Sequence, residues 1–119
     1  MLPKKNRADK KTIEEIFKKG RFVASSNLTL KYIKTDPLLP FNISFVVPKT
    51  VSKSAVIRNL LRRRGYNVIK KYLKHFSPGF KGVFVFGKKS NEFFGGTKTN
   101  MYNPMLNLEN ELRFILNKL

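Results

Sequence analysis

The residues best equipped for chemistry lie in one run, Ala55-Val56-Ile57-Arg58-Asn59-Leu60-Leu61-Arg62-Arg63-Arg64. An arginine guanidinium is a planar fork of five donors that matches phosphate oxygens. At about 100° per residue, a helix gathers Asn59, Arg62, Arg63 and Tyr66 into one polar ridge at i, i+3, i+4 and i+7. A helix face that merely meets water mixes Glu with Lys, because i,i+4 pairs of opposite charge support the helix. No Glu interrupts this ridge. From residue 37 to 91 there is no acid at all, while Lys49, Lys53, Arg58, Arg62, Arg63, Arg64, Lys70, Lys71, Lys74, Lys81, Lys88 and Lys89 fall inside that stretch. The acids Asp9, Glu14, Glu15, Asp36, Glu92, Glu109 and Glu111 lie outside it. Charge segregated in this way is the footprint of a surface for a polyanion.

Protein-borne catalysis is poorly supplied. His75 is the only histidine and stands near a helix end, where a structural or exposed role is expected. Glu14 and Glu15 are adjacent, so they point to different helix faces and cannot form a carboxylate pair. No Ser/His/Asp arrangement and no metal-ligand spacing is visible. The absence of cysteine excludes disulfides and thiolate zinc sites. The expectation is therefore no catalytic residue and no metal site in the protein itself.

The 119 residues suit one RNA-binding domain, 1–119. Lys and Arg number 25 against 7 acids, a net charge of +18. Such an excess repels itself unless a polyanion offsets it. Nucleic acid is the usual partner, and an anionic membrane surface is the rival. The rival is weaker, because the basic helix sits mid-chain and carries a core stripe on its back. A hydrophobic content of 41% is too high for a disordered basic tail. The start of the chain lacks the apolar run of a signal peptide, and no stretch approaches the roughly 20 apolar residues of a membrane span. A cytoplasmic protein is expected.

The elements that must position the basic ridge follow from pattern. Residues 1–9 read as a flexible basic lead-in with Lys4, Lys5 and Arg7. Thr12-Ile13-Glu14-Glu15 has capping-box form and predicts a helix over 12–19, stopped at Gly20. Residues 28–34 alternate, with Leu28, Leu30 and Tyr32 on a core face and Thr29, Lys31 and Ile33 opposite. Residues 42–47 predict a second strand, ended by Pro48, and the simple inference pairs the two as a hairpin. The main helix is predicted over 54–76, capped by Ser52 or Ser54, with Ile57, Leu61, Gly65, Val68, Tyr72 and Phe76 inward. Gly65 on that inner face points to close packing against a sheet. Residues 82–88 predict a third strand and 89–102 a loop. Asn103-Pro104 opens a C-terminal helix, within 103–119, with Met105, Leu108, Leu112, Ile115, Leu116 and Leu119 as its stripe. The fold class is α+β, a two-layer α/β sandwich in the order α-β-β-(β)-α-β-α. Most of the 11 phenylalanines belong to the core, and Phe17 and Phe93-Phe94 are candidates to stack on unpaired bases.

The helix bearing A-V-x-R-N-x-x-R-R resembles that of the bacterial ribonuclease P protein family. That family has an Arg-Asn-Arg motif followed by Lys-Arg, on the helix after a strand end. Arg7 followed by Phe17-Lys18-Lys19-Gly20-Arg21-Phe22 is similar to the family's opening, and 83–89 to its apolar strand ending in a basic pair. The resemblance covers about residues 4 to 90. Leu60 stands where the family carries the second Arg of its motif. Ile13 stands at its first Phe position, and Pro48 and Thr50 replace family residues beside Lys49.

The resemblance implies a ribosomal protein S5 domain 2-like fold with a four-stranded sheet and a left-handed βαβ crossover around the signature helix. The fourth strand would come from about 21–25 or from 89–102. It further implies the protein subunit of an endoribonuclease that removes the 5′ leader from precursor tRNA, with magnesium held by a catalytic RNA and none by the protein. The partners would be that RNA and precursor tRNA, with a monomer in a 1:1 complex and no membrane. RNA-binding residues would be Arg7, Lys49, Lys53, Arg58, Asn59, Arg62, Arg63, Lys88 and Lys89. The leader cleft would be lined by Phe17, Lys31 and Val46. The alternative is a ribosomal or general RNA-binding protein with no part in cleavage.

Overall fold

The computed structural model describes residues 9–119; the lead-in at 1–8, with Arg7, lies outside the described residues. Helix α1 (Lys10–Lys19) is capped by Asp9, whose carboxylate accepts the Thr12 N–H at 2.8 Å. Hydrogen bonds from the Thr12 backbone and side chain lower the Asp9 pKa. The helix thus starts two residues before the Thr12 capping box, because the nearer carboxylate takes the first-turn amide. Strands β1 (Arg21–Ala24), β2 (Leu28–Lys34) and β3 (Asn42–Val46) follow. Helix α2 (Ala55–Ile69), capped by the Ser54 hydroxyl, runs into a 3-10 segment over Lys70–His75, so the long helix expected over 54–76 tightens at its end. Strand β4 (Phe80–Phe86), the short helix α3 (Ser90–Phe94) and helix α4 (Pro104–Leu116) complete the chain. Asn103 caps α4 through Leu106 N–H, with Pro104 in the first turn as its sequence predicts.

The sheet order is β1-β2-β4-β3, with β1, β2 and β4 antiparallel in turn and β3 parallel to β4. The fourth strand comes from residues 21–24. The expected β2-β3 hairpin does not form, because β4 lies between them. The reason is burial. β4 is apolar on both faces, with Phe80, Phe84 and Phe86 in the main core and Val83 fully buried on the other side. Such a strand gains most from a central place. The connection from Lys34 to Asn42 is also long for a hairpin loop. It is tied instead to the turn before β4, where Thr35 N–H donates to Gly79 O and Gly79 N–H to Leu39 O. Gly79 has φ +85°, which favours glycine.

Helices α2 and α4 cover one sheet face. Leu61, Val68, Ile69, Leu108, Leu112 and Ile115 pack there against Leu28, Leu30, Phe45, Phe84 and Phe86. Two acids tie α4 to its neighbours. Glu111 accepts the Ser25 hydroxyl, the Asn27 N–H and the Asn27 side-chain amide, which holds the β1-β2 turn. Glu109 accepts the Tyr72 hydroxyl and pairs with Lys71 at 3.2 Å, and these two bonds lower its pKa. On the opposite face lies α1 alone, anchored by fully buried Ile16.

The seat of α2 is Gly65. A Cβ there would lie 2.6 Å from Cδ1 of Phe45, inside the ring's van der Waals surface. Phe45 stacks on Phe84 at 4.9 Å between centroids and meets Tyr66 edge-on at 5.0 Å. In an isolated helix Gly65→Ala would add roughly 1 kcal/mol of helix stability. Here overpacking of about 1 to 3 kcal/mol opposes that gain. Urea denaturation of Gly65→Ala is expected to show net destabilisation, reduced when Phe45→Leu is also present; a more stable single variant would disprove the close contact.

Candidate nucleic-acid interface

Two surfaces emerge from this frame. The first belongs to α2 and the ends of the parallel strands. Because β3 and β4 run parallel, with Val46 opposite Val85, the segments that leave them depart from the same end of the sheet. Lys49 and Lys53 follow β3, Lys88 and Lys89 follow β4, and α2 begins at that end as well. Lys49, Lys53 and Arg58 border one shallow pocket with Thr50, and the Arg58 guanidinium donates to Ser52 O at 2.9 Å. That bond ties the loop to the first turn of the helix. One turn further on, Asn59, Arg62, Arg63 and Tyr66 border a second pocket, and Arg62 donates to the Asn59 side-chain oxygen at 2.7 Å. The ion pair Lys71–Glu109 is the only one among the described residues, so none of these cations is neutralised by a carboxylate.

Two neighbouring residues give their polar groups to the fold instead of to that surface. Tyr66, expected on the polar ridge, is only 4% exposed. Its ring packs on Phe45 and its hydroxyl accepts the Phe45 N–H at 3.3 Å, which satisfies an amide of an edge strand. A tyrosine carries enough apolar surface to follow its ring inward once its hydroxyl finds a partner. Arg64 is spent on structure: Nη1 donates to Phe94 O at 2.7 Å and Nη2 to Gly96 O at 2.6 Å. It anchors the segment after α3 to α2. Leu60 is half-buried, whereas its neighbour Leu61 is fully buried. Residue 60 is thus less deeply packed than residue 61.

The second surface is the sheet face that α1 leaves open. Strand register sets its rows. Ala24, Thr29, Val85 and Val46 form one row; Phe22, Lys31, Val83 and Ser44 form the next. Val83 of the second row is fully buried, as is Ile16 of α1, the helix that packs on β2 and β4, whereas Ala24, Thr29, Val85 and Val46 of the first row keep part of their surface open as a strip along this face. Lys31 and Val46 thus share one face, and the Lys31 ammonium lies 4.9 Å from the centre of the Phe17 ring. Ile16, not Phe17, is the core anchor of α1: Phe17 is 44% exposed. On the other flank of α1, Glu15 and Lys19 border a pocket with Arg21, Tyr32, Ile33 and Lys34. Phe22 was not singled out for this face by its pattern, because a four-residue strand shows too little alternation to reveal which side it presents. Phe94 is fully buried against Phe86, while Phe93 remains exposed, so that pair divides between core and surface.

An aromatic ring beside an unpaired ammonium suits an unstacked base and its phosphate. The unpaired arginines of α2 suit phosphates of a larger RNA. Among the described residues no group of three or more His, Cys, Asp or Glu side chains could hold a metal ion. No helix among them is long and apolar enough to cross a membrane.

A family profile described as Ribonuclease P matches residues 2–107. A ribonuclease P protein component from a Synechococcus species is 28% identical over 92 residues, which span 71% of this chain and 67% of that protein. The ribonuclease P protein component of Carboxydothermus hydrogenoformans is 36% identical over 83 residues, 66% of this chain and 69% of that one. In fold, the chain is similar to the RNase P protein of Staphylococcus aureus, with a TM-score of 0.75 at 18% identity, covering 98% of this chain and 95% of that one. The RNase P protein of Thermotoga maritima gives 0.76 at 19% identity, covering 95% and 96%.

The arginines of α2 make separable contributions. Arg64→Ala is expected to lower folding stability by about 1 kcal/mol, the net scale of lost hydrogen bonds in a partly exposed site. Arg63→Ala and Leu60→Arg should stay within about 0.5 kcal/mol of the parent. Thermal and urea unfolding of the three variants checks this. A loss of roughly 2 kcal/mol at Leu60 would place that residue in the core.

Proposed function

Because this chain belongs to the ribonuclease P protein family, we propose that it binds a catalytic RNA through the basic end of α2 and receives the single-stranded 5′ leader of precursor tRNA in the open sheet cleft. The complex then cuts the leader away, in the cytoplasm. The observation that carries this reading is the exposed Phe17 ring held over Lys31 on the one sheet face that no second helix covers. A single strand offers what such a surface takes: a π-face for the ring and a phosphate for the ammonium. A folded tRNA body hides its base faces, so the cleft selects the leader. The second surface supports the RNA partnership. Lys49, Lys53, Arg58, Arg62, Arg63, Lys88 and Lys89 converge from three segments without neutralising acids, and the Arg58–Ser52 bond fixes the loop that carries two of them.

The division of labour follows from chemistry. Strand scission requires a nucleophile activated near the phosphorus and stabilisation of the leaving oxygen. In this reading magnesium ions held by the RNA supply both. The protein binds the leader and sets its register. The stoichiometry is one protein per RNA.

Two measurements test this. Affinity for the catalytic RNA is read against salt. Each lost phosphate contact lowers the log–log slope by about 0.7 to 0.9, so Arg62→Ala with Arg63→Ala should flatten it by up to about twice that. An unchanged slope in a folded double variant removes this helix face from the interface. Second, the reconstituted complex is assayed on precursors with leaders of one and of several nucleotides. Phe17→Leu and Lys31→Ala should weaken binding of the long-leader substrate alone. Equal loss on both substrates, or no cleavage with any catalytic RNA, would overturn the leader assignment in favour of a general RNA-binding role.

A further inference from the structure

Phe22 is 70% exposed, the most exposed phenylalanine ring of the molecule among those described. It sits on β1, directly opposite Lys31 in the antiparallel register. Cross-strand neighbours of this kind have Cβ atoms about 5 Å apart and share a sheet face. The alternate residue, Val23, lies opposite Leu30 and packs toward the main core, so Phe22 points to the open face. Lys31 therefore stands between two exposed rings, Phe17 on α1 and Phe22 on β1.

A single exposed ring is ordinary, since apolar residues scattered over a surface need no explanation. Two rings flanking one ammonium are a different arrangement. Lys31 has no carboxylate partner among the described residues, and its charge already rests against the Phe17 ring. Neither ring is covered by another element, yet neither is loosely held. Phe17 follows fully buried Ile16 in α1. β1 is fastened at its far end by three donors converging on Glu111 of α4. β1 is also the edge of the sheet, so a chain crossing the face meets no further strand beyond Phe22.

We infer that Phe22 is a second stacking platform for the leader: one base lies on Phe17, a base farther from the cleavage site lies on Phe22, and the phosphate between them lies on Lys31. This rests on the leader reading above and adds to it a direction, outward across the sheet toward the β1 edge. The recognised chemistry is a pair of unpaired bases of any identity, because a ring stacks on every base. Phe22 is then a positioning residue for the distal part of the leader.

The prediction separates Phe22 from Phe17 by leader length. The complex is reconstituted with the catalytic RNA and binding is measured for precursors whose leaders grow one nucleotide at a time. With the parent protein, affinity should rise in two steps, first at the length that reaches Phe17 and then at the length that reaches Phe22. Phe22→Ala and Phe22→Leu should remove the second step, a loss on the order of 5-fold or more, and leave the first intact. Phe22→Tyr should restore it, since the ring and not the apolar volume is required. The exposed position predicts an unchanged unfolding midpoint for all three. A second step that survives in Phe22→Ala, while Phe17→Leu and Lys31→Ala still lose long-leader binding, overturns the role of Phe22 and leaves the cleft reading standing. Loss in Phe22→Ala that is equal for the shortest leader assigns the residue to another contact and also overturns it. If Phe22→Ala, Phe22→Leu, Phe17→Leu and Lys31→Ala all act independently of leader length, the cleft reading itself falls.

Discussion

Helix α2 can lie where it does only because residue 65 carries no side chain. The approach of its backbone to the Phe45 ring sets the depth of the helix on the sheet, and depth sets rotation. Leu61, Val68 and Ile69 then point inward, Tyr66 slides in beside Phe45, and Asn59, Arg62 and Arg63 are left facing out. A glycine in a helix costs backbone entropy, and that cost is offset by contact with an aromatic stack of Phe45, Phe84 and Phe86. The outward face is therefore a consequence of the inward one. The basic surface has the orientation it has because the core beneath it admits one seat.

The use of the few acids strengthens that surface. Glu109 and Glu111 are both on α4, and both are consumed in holding neighbouring segments, one through Tyr72 and Lys71 and the other through Ser25 and Asn27. They lie behind the sheet from the open face, since α4 packs on the main core side. These two carboxylates thus serve the fold, and neither pairs with Lys31, Lys49, Lys53, Arg58, Arg62 or Arg63. A protein of charge +18 accepts the resulting self-repulsion, and a polyanion relieves it.

Asymmetric coverage of the sheet creates the second surface. Two long helices and a short one fill one side, whereas α1 alone crosses the other, where Ile16 and Val83 are both fully buried. One helix is too narrow to cover four strands. The strip left beside it carries Val46, Val85, Thr29 and Ala24, with Phe17, Lys31 and Phe22 along its margin. The strip opens toward the end of the sheet from which Lys49 and Lys88 depart, so the aromatic surface and the basic surface adjoin. A single RNA-bearing complex can occupy both.

Local signals in the sequence by themselves determined much of this protein. The cap Asn103, Ser54 as one of two candidate caps, the stop at Gly20, Leu61, Gly65 and Val68 on the inner face of α2, the alternation of β2, and Leu108, Leu112, Ile115 and Leu116 in α4 were legible, because each depends on residues within a turn or two of one another. Fully buried Ile69 was missing from the expected face, and Leu119, placed in the last stripe, is 48% exposed beyond the end of α4. The charge segregation and the residues Arg58-Asn59 and Arg62-Arg63 carry the family resemblance by themselves. Tertiary structure alone decided the rest. It placed β4 between β2 and β3, because a strand apolar on both faces is worth most at the centre, and no local pattern states which strands will flank it. It took Tyr66 into the core, where its hydroxyl met an edge-strand amide from 21 residues away. It committed Arg64 to the carbonyls of Phe94 and Gly96, although in sequence it is indistinguishable from Arg62 and Arg63. And it set Phe22 beside Lys31, a juxtaposition that exists only through strand pairing. Helical and strand periodicity are short-range properties of the chain, whereas the partner of a side chain across a sheet or a core is fixed by the sum of all the burial that folding achieves at once.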